Sequence, residues 1–176
     1  MERRILMNLI VALFGVIIYC TLSFMVYINK SLEASSFLKS IGVIFILIFQ
    51  IFYFITFSIE NIGYRKFDDS KFLNFLFRYL GIVILIIFSF TTSFWMLYKI
   101  DINSFNNYDF GSNVFEELFN FFYFSCVTFS TIGYGEILPT SIFSKLLVII
   151  ESFTSLFTIV FIISNFSTIR DSLNKR

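Results

Sequence analysis

The sequence predicts an all-α membrane protein with four transmembrane helices and a short re-entrant segment between the third and the fourth. The composition is the first support for this fold class. Of the 176 residues, 57% are hydrophobic and only 14% are charged, whereas soluble domains carry about a quarter charged residues. The second support is the pattern, because the apolar residues form four long runs that hold a single charged residue between them.

The charged and polar residues exclude several functional classes. The net charge of +1 supplies no basic excess for binding nucleic acid, and the sequence contains no histidine for imidazole catalysis or metal ligation. The sequence shows no pairing of a nucleophile with a base and no set of metal ligands. We therefore expect neither an enzyme nor a resident cofactor.

Each of the four apolar runs is long enough to cross a membrane, which takes roughly 20 helical residues. The predicted spans are Ile5–Ile28, Ile41–Ile59, Tyr79–Tyr98 and Leu146–Ile169. The first run is too long for the apolar region of a signal peptide, so we interpret it as a retained anchor. Only the fourth run contains a charge, that of Glu151.

A fifth uncharged stretch, Leu118–Gly135, decides the topology. If it does not cross and the N-terminus is inside, the basic residues divide unevenly between the two sides. The inner side then holds Arg3, Arg4, Arg65, Lys66, Lys71, Arg78, Arg170, Lys175 and Arg176, and the outer side holds Lys30, Lys39, Lys99 and Lys145. This distribution agrees with the positive-inside rule. We therefore predict a re-entrant segment that enters from the outer face, with both termini cytoplasmic.

The re-entrant segment divides into a helix and a glycine-containing strand. Asn113 is a plausible N-cap and Glu116 follows three residues later, as in a capping box, so the pattern predicts a helix that ends at Phe129. Two glycines flank one tyrosine in Gly133-Tyr134-Gly135, which is unfavourable for a helix. We expect an extended chain from about Thr131. Non-helical backbone at membrane depth is tolerated only where it is buried in protein or lines a water-filled path.

The pentapeptide Thr131-Ile132-Gly133-Tyr134-Gly135, called the TIGYG segment below, resembles the selectivity filter of potassium channels. In that family, rings of backbone carbonyls replace the hydration shell of the ion. The resemblance implies that K⁺, as the permeant ion, is bound by the carbonyls of Thr131, Ile132, Gly133 and Tyr134 and by the Thr131 hydroxyl. It also implies that Tyr134 braces the strand from behind.

The residues around the pentapeptide extend the resemblance. Glu136-Ile137-Leu138-Pro139 is similar to the Asp-x-x-Pro continuation of the family, and Thr128 and Ser130 are similar to its threonine-rich approach. Tyr123 and Phe124 stand where many relatives carry two tryptophans. We expect these flanking residues, namely Thr128, Ser130, Glu136, Tyr123 and Phe124, to support the filter.

The resemblance implies a potassium-selective channel subunit that conducts K⁺ passively across a plasma membrane. One chain supplies a quarter of the ring, so it implies a homotetramer. Residues 1–78 would form a two-helix collar, residues 79–170 the pore domain, and residues 171–176 a short cytoplasmic tail. The lipid bilayer and a separate gating chain are the other expected partners. The abundance of Phe and Ile indicates a bacterial source.

Three departures from the family limit what the resemblance implies. Glu136 replaces the commoner Asp, and Val127 occupies the position at which some relatives carry a buried Glu, so a carboxylate pair cannot form there. Ser155 occupies the position of a hinge glycine in many relatives, which argues against a gate that opens by bending the fourth helix. The first two spans lack an arginine series, so a voltage sensor is not expected.

Four polar residues of the fourth span are candidates for a cavity or a gate: Glu151, Thr154, Ser155 and Thr158. We expect Glu151 to face either the back of the pore helix or the cavity and to bond to a hydroxyl, as a structural anchor or as a gating residue. The hydroxyl residues either line a wet cavity or pack between helices. These alternatives are open at the level of sequence.

Four acids between Lys99 and Leu118, namely Asp101, Asp109, Glu116 and Glu117, carry negative charge in a stretch without a base. They either concentrate cations near the outer mouth or serve in loop solvation and helix capping, and we favour capping.

Two other functions compete with a selective potassium channel. The first is a weakly selective cation channel, because the surroundings of the filter are altered. The second is a non-conducting membrane effector or regulatory subunit of a toxin or defence system, because the chain is small and shows no sensor domain.

Overall fold

The computed structural model describes residues 36–62, 69–106 and 108–173. The first predicted span, Ile5–Ile28, lies outside the described residues. Within these ranges the chain forms four α-helices: α1 (Ser36–Ile62), α2 (Asp69–Ile100), α3 (Val114–Phe129) and α4 (Ile142–Leu173). A short 3₁₀ helix, Ile102–Ser104, follows α2. Across the described ranges there is no strand, only an isolated antiparallel bridge between Phe105 and Pro139.

The helical fold class is confirmed for the described residues. Two helical stretches, Tyr79–Ile100 and Ile142–Ser164, are long and apolar enough to span a membrane, and they correspond to the third and fourth predicted spans. The second predicted span, Ile41–Ile59, lies within α1 (Ser36–Ile62).

Helix α2 lies at the centre of the packing and contacts α1, α3 and α4. Its buried residues include Ile82, Ile86, Phe90 and Phe94, whose spacing of four residues places them on one side of a helix. This side supplies the core between the helices. The regular spacing explains why an apolar sequence forms a packed helix with a defined orientation.

An aromatic cluster fixes the end of α2 against α3. Phe105 makes edge-to-face contacts with Phe94, Phe121 and Phe124, with ring centroids 6.0, 5.1 and 5.8 Å away. Phe110 stacks on Phe121 at 4.4 Å. Such pairs contribute about 0.5–1.5 kcal/mol each beyond the area that they bury. The cluster therefore positions α3 and the loop before it as one unit.

Helices α1 and α4 keep apolar faces exposed in the single chain. Phe45 and Phe49 of α1 are exposed, and so are Phe153, Val160 and Ile163 of α4. Contiguous apolar surface of this kind indicates contact with lipid or with another protein chain.

Candidate functional site

Helix α3 begins at the predicted cap. The Asn113 side chain accepts a hydrogen bond from the Glu116 amide at 2.9 Å. Glu116 Oε2 accepts from the Ser112 amide at 2.7 Å. The N-cap prediction is confirmed, and the carboxylate reaches one residue further back than in an ordinary capping box. The bond from the Ser112 amide, helped by that residue's hydroxyl, lowers the pKa of Glu116.

Glu117 is not a solvated acid. It is only 8% exposed, and its carboxylate accepts from Lys99 Nζ at 2.6 Å and from Trp95 Nε1 at 2.8 Å. The loop solvation and the concentration of cations that were weighed for Glu117 therefore do not describe it, because its carboxylate is buried and paired with Lys99. Lys99 lies in the last turn of α2, directly before the acidic stretch in the sequence. The fold brings its ammonium group to Glu117 in the first turn of α3.

The other loop acids bind nearby amides. Asp101 accepts from the Asn103 amide at 3.0 Å, and Asp109 accepts from the Gly111 amide at 2.9 Å. These contacts favour the capping alternative over the concentration of cations.

The TIGYG segment leaves the end of α3 through a series of backbone turns. The amides of Ile132 and Gly133 both donate to the Val127 carbonyl, at 2.9 and 3.2 Å. Thr131, Gly133 and Gly135 have φ angles of +60°, +53° and +87°. The prediction of an extended chain was wrong at these three residues.

The sign of φ alternates along the segment. Ile132 and Tyr134, which lie between the three residues with positive φ, do not have a positive φ. Glycine adopts positive φ without strain, whereas a β-branched threonine does so rarely and at a cost of order 1–3 kcal/mol. Strain of this kind is typical of functional segments, so Thr131 marks this turn as a candidate site.

The side chains of the TIGYG segment are only lightly covered by the residues that the structure describes. Ile132 and Tyr134 are 56% and 70% exposed. A cleft of about 300 Å³ lies between the segment, α3 and α4, and Thr128, Val127, Val148 and Ser152 help to line it. The residues that the structure describes therefore leave the Tyr134 side chain largely uncovered.

The flanking residues predicted to support the segment lie around it. Phe124 belongs to the aromatic cluster, with its ring 5.0 Å from that of Phe94. The side chain of Tyr123 lies near that of Glu136, directly after the segment. Ser130 Oγ donates to the Cys126 carbonyl at 2.7 Å and closes the C-terminus of α3.

Two polar residues of α4 bond to α3. Glu151 is fully buried, and its Oε1 lies 2.5 Å from Ser125 Oγ, while its Oε2 has no partner among the described residues. Ser125 Oγ also lies 3.2 Å from the Ile87 carbonyl of α2. The expected bond of Glu151 to a hydroxyl is confirmed, and of the two orientations left open, the contact with Ser125 favours the one against α3 over the one toward a cavity.

Ser155 forms the second contact between α4 and α3. It is fully buried, and its hydroxyl donates to the Phe129 carbonyl at the last residue of α3. Glu151 and Ser155 are one helical turn apart, and so are Ser125 and Phe129. The two contacts therefore form a ladder that joins α4 to the start of the TIGYG segment.

Thr154 and Thr158 lie on the packed side of α4. Both hydroxyls donate to carbonyls of their own helix, Ile150 at 2.8 Å and Thr154 at 2.7 Å. Both line a small apolar cleft together with Tyr79 and Ile82 of α2, and the Tyr79 hydroxyl donates to the Thr158 carbonyl at 2.6 Å. This placement favours helix packing over the lining of a wet cavity.

A family model described as ion channel matches residues 81–170, just over half of the chain. The chain belongs to this ion-channel family. No curated protein and no solved structure matches it. The match covers most of α2, all of α3 and most of α4, and therefore contains the TIGYG segment and both of its flanking helices.

Membership of an ion-channel family, together with two helices apolar enough to span a membrane, identifies a membrane protein that acts in ion transport. The family is not an enzyme family. The candidate functional residues of this ion channel are accordingly those that shape a path for ions.

Sequence reasoning missed Asn106. Its side-chain Nδ2 donates to the Glu136 carbonyl at 2.7 Å, and its Oδ1 accepts from the Leu138 amide at 3.0 Å. Asn106 lies in a polar loop, and its partner Glu136 follows thirty positions later in the sequence. Such a residue has no local pattern that distinguishes it from a solvated loop asparagine.

Proposed function

We propose that the protein is a potassium-selective channel subunit and that four copies form a pore that conducts K⁺ passively. The observation that carries this proposal is the alternation in the sign of φ along Thr131–Gly135, directly after the capped helix α3. In an ordinary strand, successive carbonyls point to opposite sides. Alternating signs of φ allow them to point to the same side.

A row of carbonyls on one side suits a dehydrated monovalent cation. A potassium ion leaves water only where oxygens replace its hydration shell, and backbone carbonyls do so without adding net charge. The proposed ligands are the carbonyls of Thr131, Ile132, Gly133 and Tyr134 and the Thr131 hydroxyl. The C-terminus of α3 adds a partial negative charge that favours a cation nearby.

The length of α3 supports a re-entrant topology. Its 16 residues extend about 24 Å, less than the roughly 30 Å of a hydrocarbon core. The backbone after it is non-helical, and such backbone requires protein or a water-filled path around it. We therefore infer a pore helix that enters from the outer face between two spans, with the two N-terminal spans as an outer collar and both termini cytoplasmic.

The exposed surfaces of the single chain support a homotetramer. One TIGYG segment supplies one side of a ring, and closed cyclic symmetry completes such rings in oligomers. Ile132 and Tyr134 are largely exposed, as is the face of α4 that carries Phe153 and Val160. Neighbouring copies would cover these residues. A bacterial plasma membrane and gating by the filter, the lipid or a separate chain complete the proposal.

The test is ion flux from liposomes that contain the purified full chain. We expect K⁺ to leave K⁺-loaded liposomes much faster than Na⁺ leaves Na⁺-loaded ones, barium to block the flux, and the mass in detergent to equal four chains. Equal K⁺ and Na⁺ fluxes would instead indicate a weakly selective cation channel. No flux with or without barium would contradict the proposal and favour a non-conducting effector or regulatory subunit.

A further inference from the structure

We propose that Asn106 is the positioning residue that holds the outer end of the TIGYG segment in its conducting conformation. The inference rests on the proposed function, because it concerns the stability of the same ion path. Three hydrogen bonds connect Asn106 to the turn that follows the segment. Its Nδ2 donates to the Glu136 carbonyl at 2.7 Å, its Oδ1 accepts from the Leu138 amide at 3.0 Å, and its backbone amide donates to the Leu138 carbonyl at 2.9 Å.

The side-chain bonds require an amide. Asparagine presents one donor and one acceptor on a single planar group, whereas a carboxylate only accepts. An aspartate at this position would keep the acceptor for the Leu138 amide but would place an oxygen against the Glu136 carbonyl. The contact therefore selects for asparagine rather than for polarity in general.

The loop that carries Asn106 is itself firmly held. The neighbouring Phe105 is 2% exposed within the aromatic cluster. The Ser104 carbonyl accepts from Ser144 Oγ at 2.6 Å and from the Thr140 amide at 3.0 Å. The backbone before Asn106 is therefore held in place. For this reason the hydrogen bonds of Asn106 restrain the turn that contains Glu136 and Leu138.

The turn at Glu136–Leu138 is the next hydrogen-bonded part of the backbone after the α3 end of the segment. On the α3 side, the amides of Ile132 and Gly133 bond to Val127. Beyond them, Gly135 has a φ of +87°, and the next hydrogen-bonded carbonyl in the described part of the chain is that of Glu136. Releasing this carbonyl frees a glycine to rotate, and the outer carbonyls then turn away from the ion.

Bound K⁺ opposes that rotation, because the ion holds the carbonyls around it. A channel without the Asn106 bonds should therefore lose conduction mainly when external K⁺ is scarce and recover when it is abundant. A purely structural role would lower flux equally at both concentrations. The dependence on external K⁺ is the distinguishing readout.

The experiment compares Asn106→Asp and Asn106→Ala with the full-length wild type in planar bilayers at low and high external K⁺. We expect sustained current at low K⁺ to fall about tenfold or more in both variants, and to return to near the wild-type value at high K⁺. Asn103→Asp is the matched control, because Asn103 lies in the same loop with an exposed side chain for which the described residues show no hydrogen bond. It should behave as the wild type.

Variants at Asn106 whose current does not depend on external K⁺ would overturn the inference while leaving the proposed function intact. A wild type that carries no K⁺ current would overturn both. Hydrogen exchange on the wild type tests the inference even if the variants fail to assemble. The Leu138 amide, which donates to Asn106, should exchange slowly, and rapid exchange would also overturn the inference.

Discussion

The two ends of the TIGYG segment are held by different parts of the molecule. The end at α3 is joined to α4 through buried bonds, Glu151 to Ser125 and Ser155 to Phe129. The outer end is joined to the loop after α2 through partly exposed bonds from Asn106. A movement of α4 would therefore reach the inner end directly, whereas the outer end follows the α2–α3 loop.

The contact between α4 and the α3 end of the TIGYG segment bears on how the proposed channel could open and close. Ser155 occupies the position of a hinge glycine in many potassium channels, yet here its hydroxyl bonds the end of α3. Glu151 and Ser155 tie α4 to α3 at two successive turns, so bending α4 at Ser155 would strain contacts that lie next to the TIGYG segment. Under the proposed function, this arrangement favours control of ion flow at the TIGYG segment over a separate hinge in α4.

The largest loss of stability is expected when the ladder between α4 and α3 is broken at Ser125. Ser125→Ala leaves the fully buried Glu151 without its hydroxyl partner, and an unsatisfied buried polar group costs about 1–3 kcal/mol, more if it is charged. We expect a lower unfolding midpoint in detergent by thermal denaturation. Ser89→Ala is the matched control, because Ser89 is buried but donates only to the Leu85 carbonyl of its own helix, so its loss should be nearly neutral.

The double variant Ser125→Ala/Glu151→Leu sharpens this result. Removing both partners together should recover most of the stability, because no polar group is then left unpaired. Glu151→Gln keeps an acceptor for Ser125 and should leave both K⁺ flux and its pH response unchanged. A changed pH response in Glu151→Gln would contradict the role of Glu151 as an anchor and would indicate a gating role.

A smaller, pH-dependent effect is expected at the exposed start of α3. The Ser112 amide lowers the pKa of Glu116, so the ionised form stabilises the cap at neutral pH. This contribution is lost as the pH falls through the lowered pKa. The protection of residues 111–117 against hydrogen exchange, taken relative to the intrinsic rate at each pH, should therefore fall in acid in the wild type, whereas Glu116→Gln should show low protection already at neutral pH. Identical profiles for the two proteins would refute this assignment.

The sequence predicted the parts of the fold that depend on local pattern. The apolar runs locate the helices, Asn113 marks the start of α3, and the glycines of the TIGYG segment mark its end. Glu151 was recognisable because a lone charge in an apolar helix requires a buried partner.

The contacts that depend on the tertiary fold could not be predicted. Glu117 pairs with Lys99, which lies 18 residues away, and Asn106 binds Glu136 across 30 residues. Neither separation follows a helical or strand period. The positive φ of Thr131 was also missed, because a β-branched residue gives no sign that surrounding structure will force it there.

We propose that the backbone conformation of the TIGYG segment selects K⁺, and the substitution Gly133→Ala alters this conformation with the smallest change in side chain. A Cβ added at Gly133 meets no other atom within 4 Å, but its φ of +53° disfavours any side chain. Gly81→Ala is the matched control, because Gly81 also has open space but lies in α2 without a positive φ. The measurement is the reversal potential with K⁺ on one side of a bilayer and Na⁺ on the other. We expect a strong preference for K⁺ in the wild type and in Gly81→Ala, and loss of this preference or of the current in Gly133→Ala. Wild-type selectivity in Gly133→Ala would show that the conformation at Gly133 does not select K⁺.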